Sequence, residues 1–504
     1  MTTAPLRGTS RRTLALNLRS AGVATAVQYL SYLAVAPVVF ATAGQATFGA
    51  WATVSSILAV GALADAGLRL EVSRRVAESA GSADPERLRR TVQEGTTLLA
   101  CVGVLVLVVG WISAPLIRLF AFPGGIDGLS TGEADLLLRA TFVLLAVSLL
   151  TDGYFAVLRG IQRADVETNA RTVGLIVGAV VSIVGLEIGW GIWALLAGAA
   201  AMDVAIIAVQ AIGARRLVPD VPFRLISLRG TAWKHLLGFS SLALLSQLSD
   251  VVDSQWDKIM LSRYVGSEAV AGFQVGTTIV LQGKALALLP IAPLLVAMAE
   301  LRLQDRARVE RLVRTLSSAT FALGALVLSG IVVFAPAFFK VWLGEELPAA
   351  VTSARLFTIA IALNLLAAPL AFRALADGRH RLTAISASTN IGVNLVASFA
   401  LTLAIGFKGP LYGSILGNAV GTAVLVLLMW RHVGAYEVSS AARALLVGGF
   451  ATATGVAAGA ATLDSWVSLG LGIATFVVVF GPLLCWIEHV PVREVLRRDA
   501  ELVT

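Results

Sequence analysis

Apolar stretches long enough to cross a bilayer follow one another along this chain, with short polar segments between them. A helical crossing needs about 20 predominantly apolar residues. On that measure about fourteen spans are expected, near 21–43, 47–66, 96–118, 136–158, 172–188, 191–212, 236–256, 269–298, 315–335, 351–374, 384–406, 410–430, 444–463 and 466–487. Some neighbours are joined by very small turns: Gly189-Trp190-Gly191, Phe407-Lys408-Gly409-Pro410 and Asp464-Ser465. The pattern predicts an all-α polytopic membrane protein. The first stretch follows Arg7, Arg11 and Arg12 and runs to Ala43, too long for the core of a signal peptide, so it is read as an uncleaved span.

The polar segments set the orientation. About 31 of the 39 Lys and Arg residues fall at the two termini or in the loops after even-numbered spans, such as Arg74/Arg75, Arg87/Arg89/Arg90 and Arg302 to Arg314. The 119–135 loop, on the other side, holds none beyond the Arg118 of the preceding span. Basic loops stay in the cytoplasm, so both termini are expected there, in a multi-pass protein of the cell membrane.

The pattern also repeats. Gly44-Gln-Ala-Thr-Phe-Gly49-Ala-Trp51 opens span two, and Gly266-Ser-Glu-Ala-Val-Ala-Gly272-Phe273 opens span eight. Arg163 precedes the Gly189–Gly191 turn by about the interval between Arg379 and Gly406. Six spans lie between the copies, an even number, so the repeat is parallel, one of the two symmetries of secondary transporters. The expected division is an N-terminal lobe at 1–212, a cytoplasmic linker at 213–235, a C-terminal lobe at 236–430, and two further spans with a tail at 431–504.

Composition agrees: 57% of the 504 residues are apolar and 14% charged, where a soluble domain keeps about 25% charged. The net charge of +8 is scattered in clusters between spans. It reads as topology signal and headgroup contact, not as a nucleic-acid surface. Cys101 and Cys485 sit in separate apolar runs without a CxxC spacing, and His235, His380, His432 and His489 form no HExxH or triad, so neither a metal, a cofactor nor an enzyme site is expected. There is no phosphate-binding GxxxxGK[ST] loop.

The repeat segments carry a family resemblance. Gly44 to Trp51, followed by Leu63-Ala-Asp65-Ala-Gly67-Leu68-Arg69, resembles the corresponding stretch of the polysaccharide flippases of the multidrug/oligosaccharidyl-lipid/polysaccharide exporter superfamily. Asp257 to Gly266 with Gly272-Phe273 is similar to its second-lobe counterpart, although Phe273 stands where the family often has tyrosine. Trp342-Leu-Gly344-Glu345-Glu346 is similar to the segment before span ten. The resemblance covers residues 14 to 430. It implies two six-helix lobes around a central cavity, extra C-terminal helices, and alternating access that moves a lipid-linked saccharide outward. Its implied partners are that lipid-linked substrate, membrane lipids, and the polymerase and glycosyltransferases of the same pathway. A lipid II flippase of peptidoglycan synthesis and a cation-coupled multidrug antiporter are the alternatives. Span one lacks the acid that many of the drug exporters carry there, which favours a lipid-linked substrate.

Charges inside the spans are the candidate chemistry, because a charge at mid-membrane costs about 2.5–3.5 kcal/mol on insertion scales. Lys284 lies about 22 Å along span eight from Ala269 and offers a point charge for a diphosphate; a structural ion pair is the other reading. Asp250, Asp253 and Asp257 share one face of span seven, with Gln247 a turn below. Asp250 and Asp253 are candidates for sugar hydroxyls, a proton or Na⁺, or for pairing with Lys284 or Lys258, and Gln247 for sugar hydroxyls. Asp257 is expected in water at the outer interface. Asp203, near mid-depth in span six, is the candidate coupling acid, with a salt bridge to a neighbouring helix as the other reading. Arg19, Arg69 and Arg159 stand at cytoplasmic span ends, placed to collect a phosphorylated lipid or to anchor on headgroups. Gln28, Tyr29 and Tyr32 form a polar edge in span one, and Asn390 and Asn394 are one turn apart in span eleven.

Overall fold

A computed structural model describes residues 11–64, 66–82, 84–219, 225–226, 255–289, 306–430 and 435–487. Among these residues the long regular elements are all helices: α1 (Arg11–Gly61), α2 (Ala66–Gly81), α3 (Pro85–Ala121), α4 (Thr131–Gly160), α5 (Ala164–Glu187) and α6 (Ile192–Leu217). A helical stretch at 255–264 is α7. There follow α8 (Ser267–Ala287), α9 (Arg306–Leu343), α10 (Pro348–Ala376), α11 (His380–Ile405), α12 (Gly409–Leu428), α13 (Ala435–Ala457) and α14 (Trp466–Ile487).

Ten helices among the described residues are long and apolar enough to cross a membrane, which makes this a multi-pass membrane protein. Two of the ten, Gly22–Gly61 and His380–Leu428, have 40 and 49 residues. At 1.5 Å per residue either would overrun a hydrocarbon layer of about 30 Å. Each holds two of the expected spans. Span seven lies outside the described residues except for 255–256, and span eight is described as far as 289.

The first of the long helices is broken where the sequence has Gly44. Its backbone (φ 82°, ψ 168°) leaves the helical region, which a side chain would resist. The Phe40 and Phe48 rings lie 5.1 Å apart, although eight residues of straight helix advance about 12 Å. The two halves of α1 therefore meet at the break rather than continuing in line.

The chain divides into two compact units, Met1–Glu268 and Ala269–Thr504. In unit 1, α3 packs along α4, α5 along α6 and α1 along α5, while α2 lies on α3 and α4. One of its buried clusters joins Val54, Ala114, Phe122, Leu137 and Leu138. In unit 2, α11 packs along α12, α12 against α10, and α9 against α10, α13 and α14. Phe334, Phe476 and Phe480 fill the contact of α9 with α14.

The two units share the expected repeat down to single hydrogen bonds. After α4, the amides of Ile161, Gln162 and Arg163 donate to the carbonyls of Val157, Arg159 and Leu158. After α10, Asp377, Gly378 and Arg379 donate to Arg373, Leu375 and Ala374 in the same order and spacing. Arg163 and Arg379 then have nearly equal backbone angles (φ −101°, ψ 51° and φ −88°, ψ 47°). The next tight turns match too: Gly191 has φ 56°, ψ −131° and Gly406 has φ 65°, ψ −129°.

One pair differs in residue type. Gly378 has φ 71°, and its counterpart Gln162 has φ 62°, the only positive φ outside glycine among the described residues. A left-handed conformation costs an L side chain about 1–2 kcal/mol, part of which glycine returns through its more flexible unfolded chain. Gln162→Gly is therefore expected to stabilise unit 1 by about 0.5–1 kcal/mol, and Gly378→Gln to destabilise unit 2. Thermal unfolding of the purified variants, followed by size exclusion, reads both.

Candidate functional site

Four helices of unit 1 bring charged groups together at the end that holds α2 and the α4–α5 turn. The guanidinium of Arg69, in the first turns of α2, lies 3.4 Å from the carboxylate of Asp152 in α4. It also sits 4.8 Å from the ring centre of Phe155, one turn further along α4. Arg159, one more turn on, lies 5.1 Å from the same ring and 3.2 Å from Glu167 of α5. Glu167 is in electrostatic reach of Arg159, Arg69 and Arg171. Arg171 completes the group by donating to Gln28 Oε1 of α1 at 2.9 Å. Three guanidinium groups thus gather around an aromatic ring and two carboxylates, with Gln28 at the edge.

Local sequence explains why α2 can present Arg69. Glu71 is buried, and accepts from Arg74 at 2.8 and 2.7 Å and from Arg75 at 2.8 Å. Burial alone would raise its carboxyl; the bonds from Arg74 and Arg75 outweigh it and hold the group below the usual carboxylate range. Glycines on the facing helices let α2 close in. A Cβ on Gly95 or Gly160 would meet Val72 or Val76 of α2, and one on Gly153 would meet Thr96 of α3. Asp84 caps α3, accepting from the amides of Glu86 and Arg87, with Pro85 in the first turn.

The remaining candidates lie apart from this group. Tyr32 is half-buried in α1, a turn from the exposed Gln28. Arg19 lies in α1, its side chain outside the described residues, and Gln247, Asp250 and Asp253 lie outside them altogether. Asp203 is half-buried in α6, and among the described residues no hydrogen bond or ion pair reaches it. Lys284, expected well inside span eight, is half-buried in the last turn of α8 in unit 2, because the described helix ends at Ala287; beside it, the missing side chain of Gly283 makes room for Val327 and Ile331 of α9. Asp257 departs from expectation: it is 2% exposed, not bathed in interfacial water. The reason is that α7 packs on the end of α3, where Ser262 donates to the Ala121 carbonyl and Arg263 to that of Phe120, each at 2.8 Å. Lys258 donates to Gln255 at 2.8 Å. Asn390 and Asn364 reach Asn418 at 3.4 and 3.1 Å, so Asn390 serves the α11–α12 contact.

Sequence reasoning missed Asp152, Phe155, Glu167 and Arg171. Asp152 stands inside an expected span, so the test applied to Asp203 would have found it. Glu167 and Arg171, one helical turn apart next to a span end, look in sequence like ordinary loop charges.

Chemically, clustered guanidinium groups suit a phosphate or diphosphate, whose oxygens match their planar forks. Phe155 adds an apolar platform between two of them.

Comparison with known proteins places this geometry in context. No curated protein matches the sequence. The structure is similar to a multidrug resistance MATE family transporter of the MOP superfamily in an inward-facing conformation, with 18% identity and TM-score 0.65 over 83% of this chain and 99% of that one. It is similar to the lipid II flippase MurJ in an inward closed conformation, with 10% identity and TM-score 0.68 over 92% and 98%. A MOP superfamily transporter from Pyrococcus furiosus, described as having a binding pocket of reverse polarity, shares 18% identity and TM-score 0.56 over 87% and 99%. These likenesses establish the fold. Residues 17–298, more than half of the chain, match the family described as polysaccharide biosynthesis protein, and the chain belongs to that family.

Proposed function

We propose that this protein moves a polyprenyl-diphosphate-linked oligosaccharide from the cytoplasmic to the outer leaflet for cell-surface polysaccharide synthesis. The observation that carries the reading is the convergence of Arg69, Arg159 and Arg171 on one end of unit 1, in a polysaccharide-biosynthesis family chain with a transporter fold. That end bears the basic loops, so the positive-inside rule makes it cytoplasmic along with both termini.

In this scheme the arginines collect the diphosphate from the inner leaflet while the polyprenyl tail stays in lipid. Arg19, Gln28 and Tyr32 line the entry on span one. Gln247, Asp250 and Asp253 meet sugar hydroxyls, Lys284 receives the diphosphate in the second lobe, and Asp203 takes up the coupling ion. Rocking of two lobes, at 1–212 and 236–430, exposes the head outside. No covalent bond is made or broken, and no nucleotide is hydrolysed. Glycosyltransferases supply the substrate and a polymerase consumes it.

Arg69→Gln is expected to lower export at least about ten-fold, the lower end of a charge-assisted hydrogen bond of about 1.5–3 kcal/mol. Removing Arg69 alone also takes a cation away from the buried Asp152, so the informative variant is Arg69→Gln with Asp152→Asn. Surface polysaccharide in a strain lacking its own copy, with the lipid-linked precursor counted in each leaflet, is the readout. The double variant should stay defective. Full export by it would reduce Arg69 to a counter-ion for Asp152 and remove the cluster from the mechanism.

A further inference from the structure

Away from the arginine cluster, towards the ends of the helices that carry the α3–α4 and α5–α6 connections, unit 1 has a groove of about 550 Å³ between α3, α4 and α6. This is within the range of ligand pockets, about 300–1,000 Å³. Trp111 of α3, Ala140 and Leu144 of α4, and Trp193, Ala197 and Ala200 of α6 are among its lining residues. Trp111 is 46% exposed and Trp190, at the rim, 52%, so the groove opens outward to whatever surrounds the bundle.

A single cation stands at its edge. Arg139 lies on α4 between Leu136 and Val143, both of which line the groove, at the spacing that shares a helix face. Its guanidinium is held 5.3 Å from the ring centre of Trp111. Asp135 is one turn away and would be its natural partner, but its carboxylate is taken by Arg118 at 2.7 Å. Glu133, further up, is engaged in the capping box on Ser130. Among the described residues no hydrogen bond or ion pair reaches Arg139, and its Nε is buried without an acceptor. The protein positions a forked donor beside an apolar trough and spends none of its N–H groups.

We infer that the groove binds an anionic glycerophospholipid of the bilayer, with its phosphate on Arg139 and one acyl chain along the trough. The charge calls for an anion, and the fork matches two phosphate oxygens. The trough calls for a hydrocarbon chain, and the tryptophans are the side chains that settle at headgroup level. From Leu136 to Leu144 the trough runs about 12 Å along α4, enough for the upper part of one acyl chain. A polyprenyl chain, far longer, would find no containment there.

The test uses wild-type protein in nanodiscs containing phosphatidylglycerol with a photoactivatable diazirine in one acyl chain. Crosslinks are expected on peptides of α3, α4 and α6 around Trp111, Leu144 and Ala200. Arg139→Gln should cut that yield about five-fold, the effect of one cation near an anionic surface. Ala140→Phe should cut it by filling the trough while leaving the charge in place. Phosphatidylcholine carrying the same diazirine should label the site several-fold less. Labelling spread evenly over the helices, an unchanged yield in both variants, or equal labelling by phosphatidylcholine would each overturn the proposal. Labelling by a photoactivatable polyprenyl monophosphate to the exclusion of phosphatidylglycerol would overturn it as well.

Discussion

Leucine at Gly413 is expected to remove nearly all folded protein from the membrane. Gly409, Gly413, Gly417 and Gly421 stand four apart along α12, and each faces α11 at backbone distance. A Cβ on Gly413 would lie 2.6 Å from the Ser398 amide nitrogen and 2.7 Å from its Cα, and would clash with the Ser398 hydroxyl. On Gly417 it would meet the Asn390 carbonyl at 2.8 Å. Backbone cannot step aside as a side-chain tip can. In lipid, close packing of this kind is a main force holding helices together, because apolar burial offers them no gain over lipid tails. Overpacking a core costs about 1–3 kcal/mol when side chains can shift, and here they cannot, so even Gly413→Ala should lower the thermal midpoint clearly. Gly392 of α11, where a Cβ would meet nothing within 4 Å, is the internal control. Fluorescence-detected size exclusion of tagged variants reads the outcome. A monodisperse Gly413→Leu protein at wild-type yield would show that the α11–α12 contact is looser than described.

The parts of this architecture that could be read from the sequence are those set by bilayer thickness and by glycine. The apolar runs mark the spans because the hydrocarbon layer has a fixed width, and Gly44, Gly191 and Gly406 mark turns because few other residues take their backbone angles. The α4–α5 turn repeats the α10–α11 turn, a match that Arg163 and Arg379 mark in the sequence, but the shared left-handed position does not show, since a left-handed glutamine such as Gln162 has no signature in sequence. Helix α2 was equally hidden in what looks like a charged loop. Its signals were present: Glu71 pairs with Arg74 and Arg75 at helical spacings, and Asp84-Pro85 starts the next helix. A charge run is simply a weaker sign of order than an apolar one. For the site, Arg69 and Arg159 were legible as charges at span ends, and Gln28 as part of a polar edge in span one. Their meeting with Asp152, Glu167 and Arg171 was not, because it joins α1, α2, α4 and α5, and pairings across that many helices leave no spacing to read.

Lys284→Ala is expected to lower export to less than a tenth while leaving the amount of protein in the membrane equal or higher. The two halves of that outcome have one cause. A lysine within a membrane helix costs free energy to insert, and Lys284 stands in the last turn of α8, so alanine makes α8 no harder to place in the bilayer. Any loss of export then comes from the missing charge and not from failed insertion. Lys284 also sits beside the contact of α8 with α9 without filling it: Gly283 takes Val327 and Ile331, while Ala285 and Leu286 on the other side are exposed. Truncating it removes no core volume. Lys284→Arg keeps a cation for the diphosphate and should retain most activity, whereas Lys284→Met, similar in length but neutral, should behave like alanine. A purely structural role makes a different forecast. If the ammonium served only to balance an acid, every neutral variant would lose thermal stability along with export, and the two losses would scale together. Measuring both in the same three variants separates the cases, and normal export by the alanine and methionine forms would take Lys284 out of the transport path.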